Sequence, residues 1–159
     1  MAVRPIVLLG DPVLRARAAV VTDFGPALKT LAADMLDTMY AAPGRGLAAP
    51  QVGVSLRLFV MDVSWKTGDP NPQVFVNPRI TDASDVLLPF TEGCLSIPGQ
   101  TSRVARPDRI ALQWQDMDGL PHDAWFDGFA ATCIQHERDH LDGILCIDLP
   151  IVPEPEGDA

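Results

Sequence analysis

Residues 133 to 143 read CIQHERDHLDG, and no other stretch limits the possible fold as strongly. His136 and His140 lie four apart, so on an α-helix they stand one turn above each other on one face, the spacing that a divalent metal needs from two imidazoles. The spacing predicts a helix that begins after Asp127 and Gly128 and runs to Gly143, a natural C-terminal stop. Its helical period gathers Phe129, Ala130, Cys133, Ile134 and Leu141 into one sector, and His136, Glu137 and His140 fall inside that sector. Thr132, Gln135, Arg138, Asp139 and Asp142 fall opposite, which makes that side the expected solvated one. A glutamate in the middle of a buried face is costly unless it is paired, neutralised or set beside a cation. A satisfied core histidine is the commoner explanation of one inward His. Two His and a Glu turned inward together point to a metal.

Two histidines leave the set incomplete, because a catalytic zinc-type ion takes three protein groups and keeps a fourth position for water. HERDHLDGILC has Gly143 in register with the longer protease pattern HExxHxxGxxH, and Cys146 stands where that pattern ends in His. Cys146 is therefore one candidate, although GILCIDL reads as a short core strand in which a Cys is ordinarily a small apolar residue. Residues 141–159 offer no later helix to supply a Glu, which turns the search upstream. There TEGCLSIPGQ, at 91 to 100, sets Cys94 between Gly93 and Leu95, after the strand-like DVLLPF and before a Pro-Gly turn. Gly93 would let a ligand or another backbone come close, and a thiolate with two imidazoles is a known catalytic set for zinc or iron. GRGLAAPQVG, at 44 to 53, has glycines that permit close approach and small residues that let Gln51 lie against a crowded site. Neither GK[ST] nor GxGxxG accompanies it, so a phosphate cradle is poorly supported.

The rest of the chain indicates one domain over 1–149. TDFGPALKTLAADMLDTMYAAPG repeats Leu28, Leu31, Ala32, Met35, Leu36, Met39 and Tyr40 at amphipathic-helix spacing, with Pro26 in its first turn. LRLFVMDV, QVFVNPRI, DVLLPF and RIALQWQD read as short strands, separated by turn-rich segments that include Asp118-Gly119. The gaps are too short for repeated crossover helices, so the expected fold class is α+β with antiparallel sheets. Residues 150–159, Pro-rich and acidic, form an expected disordered tail. Twelve Lys and Arg against 21 Asp and Glu give a net charge of -9, which argues against DNA or RNA as a partner. Three cysteines without framework spacing suit a reducing compartment. The apolar start is interrupted at Gly10, Asp11 and Pro12, which supports neither a signal peptide nor a membrane span, so the expected location is the cytoplasm or an organellar matrix.

GRGLAAPQ at 44–51, EGCLS at 92–96 and QHERDH at 135–140, in that order and spacing, closely resemble the three motifs of the peptide deformylases. The likeness also takes in DPVLR and HLDGILCIDL, covering nearly all of the chain before the tail. The resemblance implies a metal-dependent hydrolase that removes the N-formyl group from nascent polypeptides and releases formate. It implies Cys94, His136 and His140 as metal ligands, Glu137 as general acid and base, and Gln51 with the Leu95 backbone N–H as oxyanion donors. It also places Gly46 and Gly93 against the substrate backbone. The implied fold has antiparallel sheets around a central helix bearing HExxH. Fe(II) is the metal it favours, while Cys with two His also suits Zn(II), Ni(II) or Co(II). Partners implied are N-formylmethionyl peptides and a transient contact with the ribosome. Cys133 is expected in an apolar pocket for the Met side chain. Arg45 stands where the family usually has an apolar residue, so either a more polar rim or an Arg that meets a substrate carbonyl or carboxylate is expected. No long C-terminal helix follows Asp148, and Thr132 stands where an Arg is common. Two rivals are a zinc peptidase that uses Cys146 and a non-catalytic protein that binds N-termini.

Overall fold

A computed structural model describes residues 2–153. The amphipathic spacing produces α1 (Pro26–Ala41), with Pro26 in the first turn, where its missing N–H costs nothing. The HExxH segment produces α2 (Gly128–Leu141). Between them lie β1 (Gly46–Ala48), β2 (Leu58–Met61), β3 (Gln73–Ala83), β4 (Leu87–Cys94), β5 (Ile97–Pro107), β6 (Arg109–Gln115) and β7 (Pro121–Asp127). Every pairing among these strands is antiparallel. Five of them form one sheet in the order β1-β2-β3-β6-β7, and β4 pairs with β5 in a second sheet.

The large sheet is covered on both faces. Leu28, Leu31, Met35 and Met39 of α1 pack with Leu47, Leu58, Val60 and Val76. On the opposite face Ala131, Cys133, Ile134 and Leu141 of α2 pack with Ala48, Phe59, Met61, Phe75, Ile110 and Leu112. Successive residues of β2 therefore point alternately at α1 and α2, which is why LFVM is apolar without a break. Each fully buried Leu, Met or Phe contributes about 1.5–3 kcal/mol relative to exposure. The second sheet closes over the side of α2 that the large sheet leaves free. Gly143 ends the helix at φ 74, and a Cβ there would run into the Arg15 carbonyl. This position admits only glycine.

The structure corrects several expectations. The side of α2 expected to be solvated is largely covered, with Thr132, Gln135 and Asp139 all buried. The β4–β5 sheet supplies partners for two of them: Gln135 Nε2 donates to the Pro107 carbonyl and Arg106 Nη1 donates to Asp139. Phe129, expected in the buried sector, is 37% exposed. GILCIDL forms no strand; Cys146–Asp148 is a single 3-10 turn whose Asp148 carboxylate accepts the Leu145 N–H. The chain reverses at Leu95 and Ser96, because Cys94 pairs with Ile97, and Pro98-Gly99 lies inside β5. Within the expected tail over 150–159, Val152 N–H donates to the Arg103 carbonyl, and 154–159 lie outside the described residues.

Candidate active site

Cys94 closes β4, while His136 and His140 come from consecutive turns of α2. Their donor atoms all lie within 4.8 Å of one another. His140 Nε2 is 3.5 Å from Cys94 Sγ, so Nε2 is the nitrogen turned into the cluster. His136 is turned the same way by its other nitrogen, since Nδ1 lies 2.9 Å from Glu92 Oε1. A carboxylate behind a ligating imidazole fixes its tautomer and ring plane. Cys146 does not join both histidines. It lies in a separate group with Glu92 and His136, packed against Cys94, Ile97 and Leu145, and burial pushes its thiol up.

Glu92 is held in turn by Arg106. The guanidinium grips it from two nitrogens, at 2.7 and 2.9 Å, and reaches Asp139 at 2.8 Å with the third. All of these groups are buried. Burial alone would raise the Glu92 pKa, but His136 and Arg106 outweigh it and hold that pKa below its ordinary value. Sequence reasoning missed Glu92, Arg106 and Asp139. A signal existed, because strand alternation puts Glu92 on the same face as Cys94 and puts Arg106 in line with buried Ser102 and Val104.

Glu137 presents the opposite electrostatics. It is 4% exposed, its Oε1 has no hydrogen-bond partner, and burial pushes its carboxyl up to about 7 against the pull of His136. Burial keeps His140 well below the ordinary imidazole value, and the His136 and Arg106 charges act the same way, so it is neutral as a ligand must be. Burial also opposes charge on His136, but Glu137, Cys94 and Glu92 around it win and hold its pKa well above normal. A buried pocket that draws positive charge, with Cys and two His donors converging, fits a bound divalent metal.

The centre forms the floor of a cavity of about 640 Å³, a volume suited to a small ligand. Gly44, Arg45 and Gly46 line one wall, the hairpin around Gly93, Leu95 and Thr101 the other, and Cys133, His136 and Glu137 the base. Gly46 is required by contact, because a Cβ would sit 2.6 Å from Glu137 Oε2 and 3.0 Å from Cys133 Sγ. At Gly93 no protein atom lies within 4 Å of where a Cβ would be, so this residue borders open space in the cavity. Gln51 is buried with a defined orientation. Its Oε1 accepts the Ala48 N–H at 3.0 Å, and its Nε2 faces Ser96 Oγ at 3.1 Å and Cys94 Sγ at 3.7 Å. β1 is an edge strand of its sheet, with one hydrogen-bonding side unpaired by any strand, and Gly46 begins it at the cavity. His122 lies on β7, 2.8 Å from Asp116 and stacked on Trp114, apart from this centre.

The model of the family described as polypeptide deformylase matches residues 3–152. A peptide deformylase of Brucella suis is 48% identical over 149 residues, covering 93% of this chain and 85% of the relative. The crystal structure of peptide deformylase from Thermotoga maritima superposes with a TM-score of 0.90 at 42% identity, covering 96% of this chain and all of that one. The structure from Thermus thermophilus is 49% identical with a TM-score of 0.86, covering 93% of this chain and 86% of that one.

Proposed function

We propose, from the premise that this chain belongs to the polypeptide deformylase family, that Cys94, His136 and His140 hold its metal and that Glu137 carries the proton. Enzymes of this family are metal-dependent hydrolases that remove the N-formyl group from nascent polypeptides, and this chain performs that reaction. The observation that carries the residue assignment is Glu137, buried and with one unpartnered oxygen beside three converging donors.

A bound divalent metal supplies Lewis acidity and makes water a nucleophile near neutral pH. Glu137, buried beside the converging donors with one unpartnered oxygen, is placed to take a proton from the attacking water and return it to the leaving amine. Gln51 Nε2 faces the cluster because Ala48 holds the other end of the amide, and with the Leu95 N–H it would meet the oxyanion as charge develops. The formyl peptide lies along the free edge of β1, with main-chain hydrogen bonds near Gly46 and Gly93 that tolerate varied sequence. Cys133, Leu95, Ile97 and Phe129 line the cavity with apolar surface suited to the Met side chain. Fe(II) is the proposed native ion, with Zn(II), Ni(II) or Co(II) compatible with the same donors.

Among the described residues no helix is long and apolar enough to cross a membrane. Work on nascent chains in the cytoplasm, with transient ribosome contact, completes the proposal. Its test is formate release from formyl-Met-Ala-Ser by protein prepared without oxygen and loaded separately with Fe(II), Ni(II) and Zn(II). Turnover that ranks by metal is the expected result. Stoichiometric metal binding without turnover on any of the three would replace this assignment with a binding role.

A further inference from the structure

We propose that Arg45 and Lys66 make the mouth of the cavity selective for formyl-Met peptides that carry a carboxylate in the residue after Met. This rests on the deformylase reading and goes beyond it by naming a substrate class. Arg45 is half-buried between the two glycines of its wall, and its carbonyl accepts the Asp62 N–H at 2.9 Å, which fixes the backbone. Its guanidinium lies 5.4 Å over the Phe129 ring, directed toward the start of α2. Lys66 approaches the same wall from another direction. Its ammonium is 5.6 Å from the Trp65 ring, and Trp65 Nε1 donates to the Gly44 carbonyl at 2.9 Å. Ring contacts of this kind hold a cation in place without neutralising it.

Neither cation has a carboxylate within ion-pairing distance among the described residues. Among the described residues, the only acidic ones that line the cavity are Glu92 and Glu137. Glu92 is already matched by Arg106 and His136, and Glu137 lies at the base. In a chain of net charge -9, two positive charges at the entrance to the site thus have no carboxylate partner among the described residues. A peptide laid along the β1 edge would carry its residue after Met past Gly44 to Gly46, between these two cations. An acidic side chain there gains attraction and a basic one meets repulsion.

The test compares kcat/KM for formyl-Met-Asp-Ala and formyl-Met-Lys-Ala on the metal-loaded full chain, with formyl-Met-Ala-Ser as reference. The expected ratio of acidic to basic substrate is about tenfold at low salt, from two partly exposed pairs, and it shrinks toward unity as salt shortens the screening length. Lys66→Gln, on an exposed side chain, lowers the ratio, and Arg45→Gln combined with it brings the ratio to unity. Arg45→Lys retains most of the preference, because a point charge suffices. Equal rates for the two peptides in the unaltered enzyme would overturn the proposal, and so would a preference that survives in the double variant. Absence of formate from all three peptides would instead overturn the deformylase assignment on which the proposal depends.

Discussion

Replacing Arg106 with Met tests how this site is held together. Arg106 makes two hydrogen bonds to Glu92 and one to Asp139, and each of the three side chains is at most 10% exposed. Removing the guanidinium leaves Glu92 with only His136, and Asp139 with only the partly exposed Arg138, as cationic neighbours, a loss that costs about 3–5 kcal/mol in comparable buried pairs. For a chain of this size that corresponds to a fall of roughly 6–20 °C in Tm. The penalty has a defined pH dependence. Glu92 has a depressed pKa in the native protein, so its contribution is present above the ordinary carboxylate value of about 4.3 and is lost as pH falls through the lower folded value. In the variant the buried carboxylates favour protonation, and the stability gap should be large at pH 7 and narrow toward pH 4. Thermal unfolding with chelator present isolates this effect from metal binding. Metal titration of the same variant should show about 10–100-fold weaker affinity, because Glu92 no longer holds the His136 ring. A loss below about 1 kcal/mol, or one that does not change with pH, would refute the reasoning.

Gly46→Ala should fold yet lose about 100-fold in kcat, since the new methyl must displace Glu137 Oε2 and Cys133 Sγ; unchanged kcat on formyl-Met-Ala-Ser would show that the contact is relieved elsewhere. Cys94→Ser should abolish tight metal binding, with a loss greater than about 100-fold, while Cys146→Ser keeps one metal per chain; equal losses in both would reopen the ligand assignment. Tyr40, the single tyrosine, meets Asp62 at 2.6 Å, and burial first and then that bond raise its pKa to about 12. Tyrosinate absorbance should therefore titrate near 12 in the folded protein against about 10 in urea, with stability complete below about pH 10 and declining as pH rises through the folded value. A folded midpoint near 10 would contradict the partly buried Tyr40–Asp62 hydrogen bond.

Where a segment meets only apolar neighbours, its sequence period describes it well. α1 and β2 follow their patterns because both pack against the large sheet or its covering helices. The inward set His136, Glu137 and His140 was legible because it shares its sector with Cys133, Ile134 and Leu141, which pack against the large sheet. The opposite side of α2 was misjudged because polarity there reflects pairing with the second sheet, and Asp139 meets Arg106 through a contact 33 residues distant in sequence. β5 was hidden by Pro98, Gly99 and Pro107, residues that ordinarily interrupt strands, and its Arg106 carries a role that only the β4–β5 register discloses. Cys94 and Cys146 were both candidates on spacing alone. Three-dimensional placement separates them, since only Cys94 closes a group with both histidines. Gly46 and Gly93 look alike in sequence, yet one is enforced by contact and the other borders open space.

The most direct test of the central claim is a paired measurement on Glu137→Gln, metal content alongside formate release from formyl-Met-Ala-Ser. The substitution keeps the size of the side chain and removes its proton-carrying capacity. About one metal per chain is expected, with a fall in kcat of roughly 10²–10⁴, the range for loss of general acid and base catalysis. Turnover near that of the unaltered enzyme with metal retained would contradict the assignment of Glu137. Loss of the metal itself would show that Glu137 belongs to the ligand set.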